Sequence, residues 1–414
     1  MLAPPPKKCP CCPCTCHGDP AVSKDYKYDY ETCPNRTGTA CLKWDKWGPD
    51  VIPMWIADMD LISPPAIIEG LQKRIAHGVF GYTHETTELR EITVKWMKRI
   101  HDWDIKPEWL VFVPGIVSGF NIFIRAIGGP NDEHLCNTPC YPPFFQAPEN
   151  NNQQFVGVPL KCDSATHYFT IDFDALEKAV TPRTRSLILC HPHNPTGRDW
   201  TAEELSKLQD FVVRHNLYIA SDEIWAAFEI TSKHIPFGKV GTQVASRTVT
   251  FMAPSKTFNI AGLSCSVAVI PDEDLRKRFN KAMNGIVPHT NCMGLFAAEI
   301  AFGGQCDEWL KGLLDHLRAN LEIVAKTLEK MPKIKWHRPE ATYLVWVDVR
   351  DAFPEGVNEK NLEDYLAKEH KLGISDGAEY GAPGWIRFNI GCPTKRLVEA
   401  MKRFEDAFFK SSQI

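Results

Sequence analysis

The sequence predicts an α/β protein, in which a large domain with a mainly parallel sheet flanked by helices is joined to a smaller α+β domain. Three observations support this fold class. Short apolar segments alternate with helical ones between residues 110 and 270, which is typical of a parallel sheet covered on both faces. Polar residues follow several apolar segments directly, where α/β enzymes place their functional groups. After about residue 295 the alternation ends.

The first elements precede the sheet. Residues 53–60 form an apolar turn segment, and Pro64-Pro65 opens a helix over 66–76, because proline suits the first turn of a helix. A second helix is predicted over 88–99, with apolar residues at helical spacing.

The alternating region then supplies the sheet. Thr201 and Glu204 form a capping box that marks the start of one of its helices. The predicted strands are 110–113, 133–137, 155–159, 186–190, 217–220, 248–252 and 267–270, and the predicted helices are 115–127, 172–179 and 202–215.

The last 120 residues predict the smaller domain. Its elements are a long helix over 307–328, two strands within 334–349, a helix over 361–370, a strand over 385–390 and a closing helix over 395–408. Prolines prevent regular structure near the N-terminus. We therefore expect a disordered Cys/Pro-rich tail over 1–20, a small-domain segment over 21–60, the large domain over 61–295 and the rest of the small domain over 296–414.

Composition is that of an ordinary globular enzyme. The 414 residues are 44% hydrophobic and 24% charged, with a formal net charge of −4. This balance argues against nucleic acid as a partner, and no apolar stretch reaches the length of a membrane span. Because the first eight residues lack the apolar core of a signal peptide, we expect a cytoplasmic protein with no membrane partner.

The 15 cysteines fall into two groups. Five crowd into residues 9–16, and with His17 they could bind a soft metal such as zinc or copper(I). A second Cys/His pair at zinc-finger spacing is lacking, so an oxidisable tail is the favoured interpretation. Cys136, Cys190 and Cys265 lie inside apolar runs and are expected to be small buried hydrophobes rather than parts of a disulfide framework.

Three polar residues follow three of the predicted strands. Asn194 lies in an Asn-Pro-Thr-Gly turn, Asp222 follows strand 217–220, and Lys256 follows strand 248–252. Each has an ordinary interpretation: a turn, a cap or a surface charge. Together they supply an amide donor, a buried carboxylate and a partly desolvated amine. Pyridoxal phosphate (PLP) needs a lysine for its Schiff base and an acid for its pyridinium nitrogen.

Other candidate residues surround this set. Ile116 and Val117 open a helix after a strand, and helix N-termini bind phosphate, although many such junctions bind nothing. Tyr141 could stack on a flat ring or belong to the core. Arg387 interrupts an apolar strand and could bind a substrate carboxylate or form a structural salt bridge.

Five segments carry a family resemblance. They are 54–60 (MWIADMD), 77–82 (HGVFGY), 192–198 (PHNPTGR), 221–224 (SDEI) and 253–259 (APSKTFN). With them, residues 35–410 resemble the class I/II aminotransferase family, which has PLP fold type I. Within that family the segments are similar to the MalY/PatB subgroup of cystathionine β-lyases and cysteine-S-conjugate β-lyases.

The resemblance implies a role for each candidate. Lys256 would carry the cofactor and move the substrate Cα proton, Asp222 would hold the ring nitrogen, and Asn194 would bind the ring oxygen O3′. Tyr141 would stack on the ring. The phosphate would be bound by Ser255, by the backbone at Ile116 and Val117, and by Tyr82 of a neighbouring subunit. Arg387, with the backbone near Ala57, would bind the substrate carboxylate. A homodimer follows, because Tyr82 would act across the subunit boundary.

Three positions depart from the family pattern. Trp225 stands where the family usually carries Tyr or His, and Ser264 stands where many aminotransferases carry a phosphate-binding Arg. His84, after Tyr82-Thr83, is also atypical.

The resemblance favours a carbon–sulfur β-lyase that cleaves a cysteine conjugate or a cystathionine-like amino acid to a thiol, pyruvate and ammonia. An aminotransferase is the main alternative, because it shares the first proton transfer. A non-catalytic regulator with the Cys-rich tail as a sensor is a third. Aromatic residues could form a roomy apolar pocket or belong to the core; they are Trp55, Phe144, Phe145 and Trp225.

Overall fold

The computed structural model describes residues 28–409. The predicted tail over 1–20 and its cysteine cluster lie outside this range. The strands of the described chain are β1 (Ile52–Pro53), β2 (Leu110–Val113), β3 (Glu133–Thr138), β4 (Gln154–Pro159), β5 (Lys161–Cys162), β6 (Phe169–Thr170), β7 (Thr184–Cys190), β8 (Tyr218–Asp222), β9 (Thr248–Met252), β10 (Ser266–Val269), β11 (Lys335–Trp336), β12 (Leu344–Asp348), β13 (Leu372–Gly373), β14 (Ser375–Asp376) and β15 (Trp385–Asn389). Its helices are α1 (Leu42–Asp45), α2 (Pro65–Ala76), α3 (Thr87–His101), α4 (Ile116–Ile127), α5 (Pro143–Glu149), α6 (Phe173–Ala179), α7 (Ala202–Arg214), α8 (Thr242–Ala245), α9 (Pro254–Thr257), α10 (Glu273–Met283), α11 (Cys292–Phe302), α12 (Asp307–Leu328), α13 (Leu362–Lys368) and α14 (Thr394–Phe409).

The largest sheet in residues 28–409 has seven strands in the order β2-β10-β9-β8-β7-β3-β4. The five strands from β9 to β4 are mutually parallel, and β10 pairs antiparallel with both of its neighbours. The α/β fold class is therefore confirmed. The central strands β8 and β9 are buried almost throughout, as expected where helices cover both faces of a parallel sheet.

Side chains along one strand divide between two cores. In β7, Ile188 joins the core that contains Phe120 and Phe251, whereas Leu187 joins the core that contains Phe211. This is the two-residue alternation of a β-strand. The capping box predicted at Thr201 and Glu204 is confirmed at the start of α7.

A smaller antiparallel sheet in the described chain has the order β11-β12-β15-β14. The N-terminal strand β1 pairs with β13, joining Ile52 to Leu372 across the sequence. These pairings support a small domain built from both ends of the chain. The expected boundary at residue 295 falls inside α11, so we propose that the C-terminal part begins after Phe302.

Six helices carry no sequence prediction: the short α1, α8 and α9, and the longer α5, α10 and α11. Two prolines in α5 conceal its helical pattern, and α11 is apolar on all sides because it packs between α2, α3 and the lysine-bearing α9. Cys136, Cys190 and Cys265 are buried free thiols, as predicted. None of the described helices is long and apolar enough to cross a membrane.

Candidate active site

The candidate site lies at the carboxyl edge of three neighbouring parallel strands, β7, β8 and β9. Asp222 is the last residue of β8, Asn194 follows β7, and Lys256 lies in α9 just after β9. Backbone bonds fix these ends to one another: His191 N–H donates to Asp222 O at 2.8 Å, and Glu223 N–H donates to Phe251 O at 2.8 Å. Because carboxyl ends of parallel strands meet at one edge, the chain brings the three candidates together.

Lys256 points its amine at the segment before the large domain. Its Nζ donates to the carbonyl oxygen of Ala57 at 2.6 Å. Burial lowers the pKa of Lys256 to about 8, and the neighbouring Arg387 acts in the same direction, while Asp58 and Asp222 oppose the shift. A neutral amine is therefore populated near physiological pH, as a nucleophile or general base requires.

Asp222 is buried, and its Oδ1 accepts a bond from the Ile224 N–H at 3.2 Å. Burial raises the pKa of Asp222 to about 7, and the charge of Glu223 adds to the rise. A carboxyl in this position gains most from a cation that donates a hydrogen bond, because the low-dielectric surroundings penalise an unpaired charge. A pyridinium N–H is such a partner.

Arg387 lies in the middle of β15, buried beside the ring of Tyr380 at 4.8 Å. Its Nη1 donates to Asn194 Oδ1 at 2.9 Å, and its Nη2 donates to the Trp55 carbonyl oxygen at 2.8 Å and to Ser375 Oγ at 3.4 Å. All three acceptors are uncharged. Its Nε has no hydrogen-bond partner among the described residues. The guanidinium therefore has capacity left for a carboxylate.

Two asparagines brace the segment that contains Ala57. Asn389 Nδ2 donates to the carbonyls of Ile56 and Asp58, both at 2.8 Å. Asn259 Nδ2 donates to the carbonyls of Met59 at 3.0 Å and Leu61 at 2.8 Å. Our sequence interpretation missed both residues. Each lies in a segment already singled out, two positions after Arg387 and three after Lys256.

The residues expected to bind the cofactor phosphate lie where α4 begins. Gly115 precedes the helix with φ of 95°, a conformation that favours glycine, and a Cβ there would face open space. The first-turn N–H groups at Ile116 and Val117 have no partner within the helix. Ser255 is buried on α9, whereas Ser264 is exposed in a left-handed conformation with φ of 47°.

The aromatic candidates divide between site and core. Tyr141 is half-buried, and burial raises its pKa to about 12, with the charge of Asp222 adding to the rise. Phe144 and Trp225 are fully packed, the latter edge-on against Tyr343 at 4.8 Å between ring centroids. These two aromatics line the core and not a roomy pocket.

Tyr82 and His84 stand apart from the cluster. Both are exposed in the segment between α2 and α3, and Tyr82 has its whole side chain open to solvent. A side chain in that position contributes nothing to the buried cluster of its own chain.

These residues fit PLP as a resident cofactor. Among residues 28–409 no cation forms an ion pair with the buried Asp222, Lys256 supplies an amine with a lowered pKa, and the glycine before α4 leaves room at a helix N-terminus for phosphate. The Asn194 side-chain oxygen is engaged by Arg387, so its Nδ2 is left to donate to an acidic ring oxygen.

Comparison with known proteins agrees with this fit. Residues 50–404 match the family described as aminotransferase class I and II. Cystathionine beta-lyase PatB of Bacillus subtilis is 36% identical, over 92% of this chain and 99% of its own, and protein MalY of Escherichia coli is 30% identical, over 89% and 96%. The crystal structure of cystalysin from Treponema denticola, which contains a pyridoxal 5′-phosphate cofactor, superposes with a TM-score of 0.87 at 34% identity, covering 92% of this chain and 99% of that one.

Proposed function

Because the chain belongs to the class I and II aminotransferase family and is a PLP-dependent enzyme, we propose that it is a carbon–sulfur β-lyase. Its substrate is an amino acid that carries sulfur on Cβ, such as a cysteine S-conjugate or cystathionine. Its products are a thiol, pyruvate and ammonia. The observation that carries the proposal is the near full-length similarity, at 36% identity, to a cystathionine beta-lyase.

Each residue of the site has a separate role in binding the substrate or the cofactor. Arg387 holds the α-carboxylate of the substrate through its free donor capacity, next to Tyr380. Asp222 would keep the ring nitrogen protonated, Asn194 would donate to the ring oxygen, and Tyr141 would pack on the ring. Ser255 and the first turn of α4 would hold the phosphate. When bound, PLP supplies an electron sink for the bonding electrons of the substrate Cα.

Lys256 moves the protons. Once the substrate is bound, the neutral amine of Lys256 takes the Cα proton, which its lowered pKa permits near neutral pH. The Cβ–S bond then breaks, the sulfur leaves with the bonding pair, and Lys256 is placed to return its proton to the thiolate. Hydrolysis of the remaining three-carbon fragment consumes one water and gives pyruvate and ammonia.

The test separates the lyase from an aminotransferase. Purified enzyme is incubated with S-methyl- or S-benzyl-cysteine while cofactor absorbance, pyruvate and thiol are followed. We expect pyruvate and thiol in equal amounts, none from Lys256→Ala, and normal amounts from Lys277→Ala, which alters an exposed lysine. A bleached cofactor band without pyruvate, restored by a keto acid, would instead establish transamination.

We also propose that the working unit is a homodimer. The segment between α2 and α3 exposes Val79, Phe80 and Tyr82, and α2 exposes Ile75. An exposed apolar patch of this kind supports a protein–protein contact. Light scattering should give twice the chain mass, and a monomeric mass at micromolar concentration would exclude the dimer.

A further inference from the structure

His234 is the centre of a buried polar network. Its Nε2 lies 2.9 Å from Glu223 Oε2, and its Nδ1 lies 3.1 Å from Asp199 Oδ1. The three side chains are almost completely removed from solvent. None of them is expected to touch the cofactor or the substrate.

The network joins the two loops that carry ring contacts. Glu223 directly follows Asp222 in the chain. Asp199 follows the turn that contains Asn194, and this turn is closed by two backbone bonds between His193 and the 197–198 segment, at 2.6 and 2.8 Å. A shift of either carboxylate is therefore transmitted to Asp222 or to Asn194.

The segment around His234 holds both carboxylates from one side. Ser232 Oγ donates to Asp199 Oδ2 at 2.8 Å, and the Phe237 N–H donates to Glu223 Oε1 at 3.0 Å. The Ile235 carbonyl accepts a bond from His191 Nε2 at 2.9 Å. Residues 232–237 thus add a second connection between the ends of β7 and β8, beside the hydrogen bonds of the sheet itself.

Because a carboxylate faces each ring nitrogen of His234, both nitrogens carry a proton and donate hydrogen bonds. Burial alone would lower its pKa, but hydrogen bonds to Asp199 and Glu223 raise the pKa of His234 to about 9. Burial opposes ionisation of Asp199, but the hydrogen bond to His234, together with His191 and Ser232, lowers the pKa of Asp199 to about 2. Both ring N–H groups therefore donate to carboxylates, a charge-assisted arrangement that fixes geometry.

We propose that His234 is a positioning residue of the PLP site, which acts through Glu223 and Asp199 to set the spacing between Asp222 and Asn194. The inference depends on PLP binding and not on the proposed lyase reaction. It is therefore tested by cofactor affinity in the absence of any substrate.

A metal ion is the competing interpretation of the same cluster. His191 Nδ1 also lies 3.3 Å from Asp199 Oδ1, so two histidines and an aspartate converge. Structural zinc sites take four protein ligands, and residues 28–409 offer three here. The Nδ1 of His234 is moreover satisfied by its hydrogen bond to Asp199. Metal content is accordingly one of the outcomes of the test.

The experiment compares His234→Gln with His134→Gln. His134 is an equally buried histidine of the same sheet, bonded to Ser186 and Gln153 and away from the cofactor contacts. Apoprotein of each variant is titrated with PLP by fluorescence, its melting temperature is recorded, and kcat and KM are measured on the holoenzyme. If His234→Gln does not fold, Asp199→Asn is used in its place, because it removes one of the two carboxylates to which His234 is hydrogen-bonded.

We expect both variants to melt earlier but only His234→Gln to bind PLP more weakly, by about tenfold, the scale of loss when groups that orient a ligand-binding side chain are removed. Its kcat should fall while KM changes less than about twofold, since Arg387 is untouched. Unchanged PLP affinity in His234→Gln would reduce the histidine to a stability role and overturn the proposal. Stoichiometric zinc in the wild type that is lost in His234→Gln would overturn it in favour of a metal site.

Discussion

Arg387 donates a hydrogen bond from Nη1 to the side-chain oxygen of Asn194 at 2.9 Å, across 193 positions of the chain. The bond joins strand β15 of the small sheet to the loop after β7 of the large one. It also fixes the orientation of the Asn194 amide, because the oxygen is used and the NH₂ group is left for the cofactor. In the proposed function, this contact links the residue that binds the substrate carboxylate to the residue that binds the cofactor ring.

Arg387→Lys should raise KM for an S-substituted cysteine by about 10- to 100-fold, because bonds to charged groups contribute roughly 1.5–3 kcal/mol and lysine loses the planar fork. Steady-state kinetics with pyruvate detection measures the change. Arg214→Lys, which alters an exposed pair with Glu177, is the control and should behave as wild type. An unchanged KM in Arg387→Lys would assign carboxylate binding elsewhere.

Asp222→Asn should stabilise the apoprotein and weaken PLP binding. The pKa of Asp222 is about 7 in the folded protein against an ordinary 3.8, so the folded state retains a proton that the unfolded chain releases. This carboxyl therefore costs stability increasingly as pH rises from about 4 to about 7, and the cost then levels off.

Calorimetry of the two apoproteins checks this dependence. The melting temperature of Asp222→Asn should exceed that of wild type by several degrees above pH 7, with a smaller difference near pH 5. Asp210→Asn, an exposed aspartate of α7, should show no such trend. A difference that stays constant with pH would contradict the raised pKa.

The rate at which apoprotein captures PLP covalently should rise with pH and level off above about 8. Lys256 must be neutral to attack the aldehyde, and burial lowers its pKa to about 8 in the folded protein. Stopped-flow absorbance gives the rate, and borohydride reduction followed by peptide mass analysis locates the adduct. N-α-acetyl-lysine amide is the reference, since its rate should continue to rise towards pH 10. The same behaviour in the protein would mean that Lys256 is not desolvated.

Tyr82→Phe should weaken PLP binding in the dimer without altering its mass, since the expected contact is a single hydroxyl. The sharper measurement uses hybrids of Tyr82→Phe and Lys256→Ala chains, made by differential tagging. If Tyr82 serves the neighbouring subunit, the hybrid contains one site with both residues intact, and its kcat per active site should equal that of wild type. If Tyr82 serves its own chain, the hybrid can show no more than the Tyr82→Phe activity.

Local sequence was sufficient to place Lys256, Asp222 and Asn194 at strand ends, because each follows a short apolar run whose period and length identify a strand. The same reasoning gave the parallel sheet. It could not give the antiparallel direction of β10, which depends on how the chain returns after α9. Helix α11 was not predicted because its residues are apolar apart from Glu299, so it lacks the polar face on which helical periodicity depends.

The residues that hold the site in place were harder to see than those that carry its chemistry. Asn259 and Asn389 act on carbonyls about 200 and 330 positions away, and no local pattern encodes such a partner. His234 lies in a polar stretch that reads as an ordinary loop, and its importance becomes visible only when Glu223 and Asp199 are folded against it. The aromatic residues also suggested an apolar pocket, but Phe144 and Trp225 pack in the core instead.

The pairing of β1 with β13, and the bracing of residues 56–58 by Asn389, have a consequence for biosynthesis. The ribosome releases the Ala57 segment some 330 residues before its partner in β15 emerges. Once β10 has emerged, the nascent chain can complete the large sheet and expose Lys256 at its edge, yet it lacks the Arg387 guanidinium, and Asn389 has not yet fixed the segment whose Ala57 carbonyl faces the amine. In the proposed function, a chain whose synthesis has not reached β15 therefore has the lysine expected to carry the cofactor but not the arginine expected to bind the substrate.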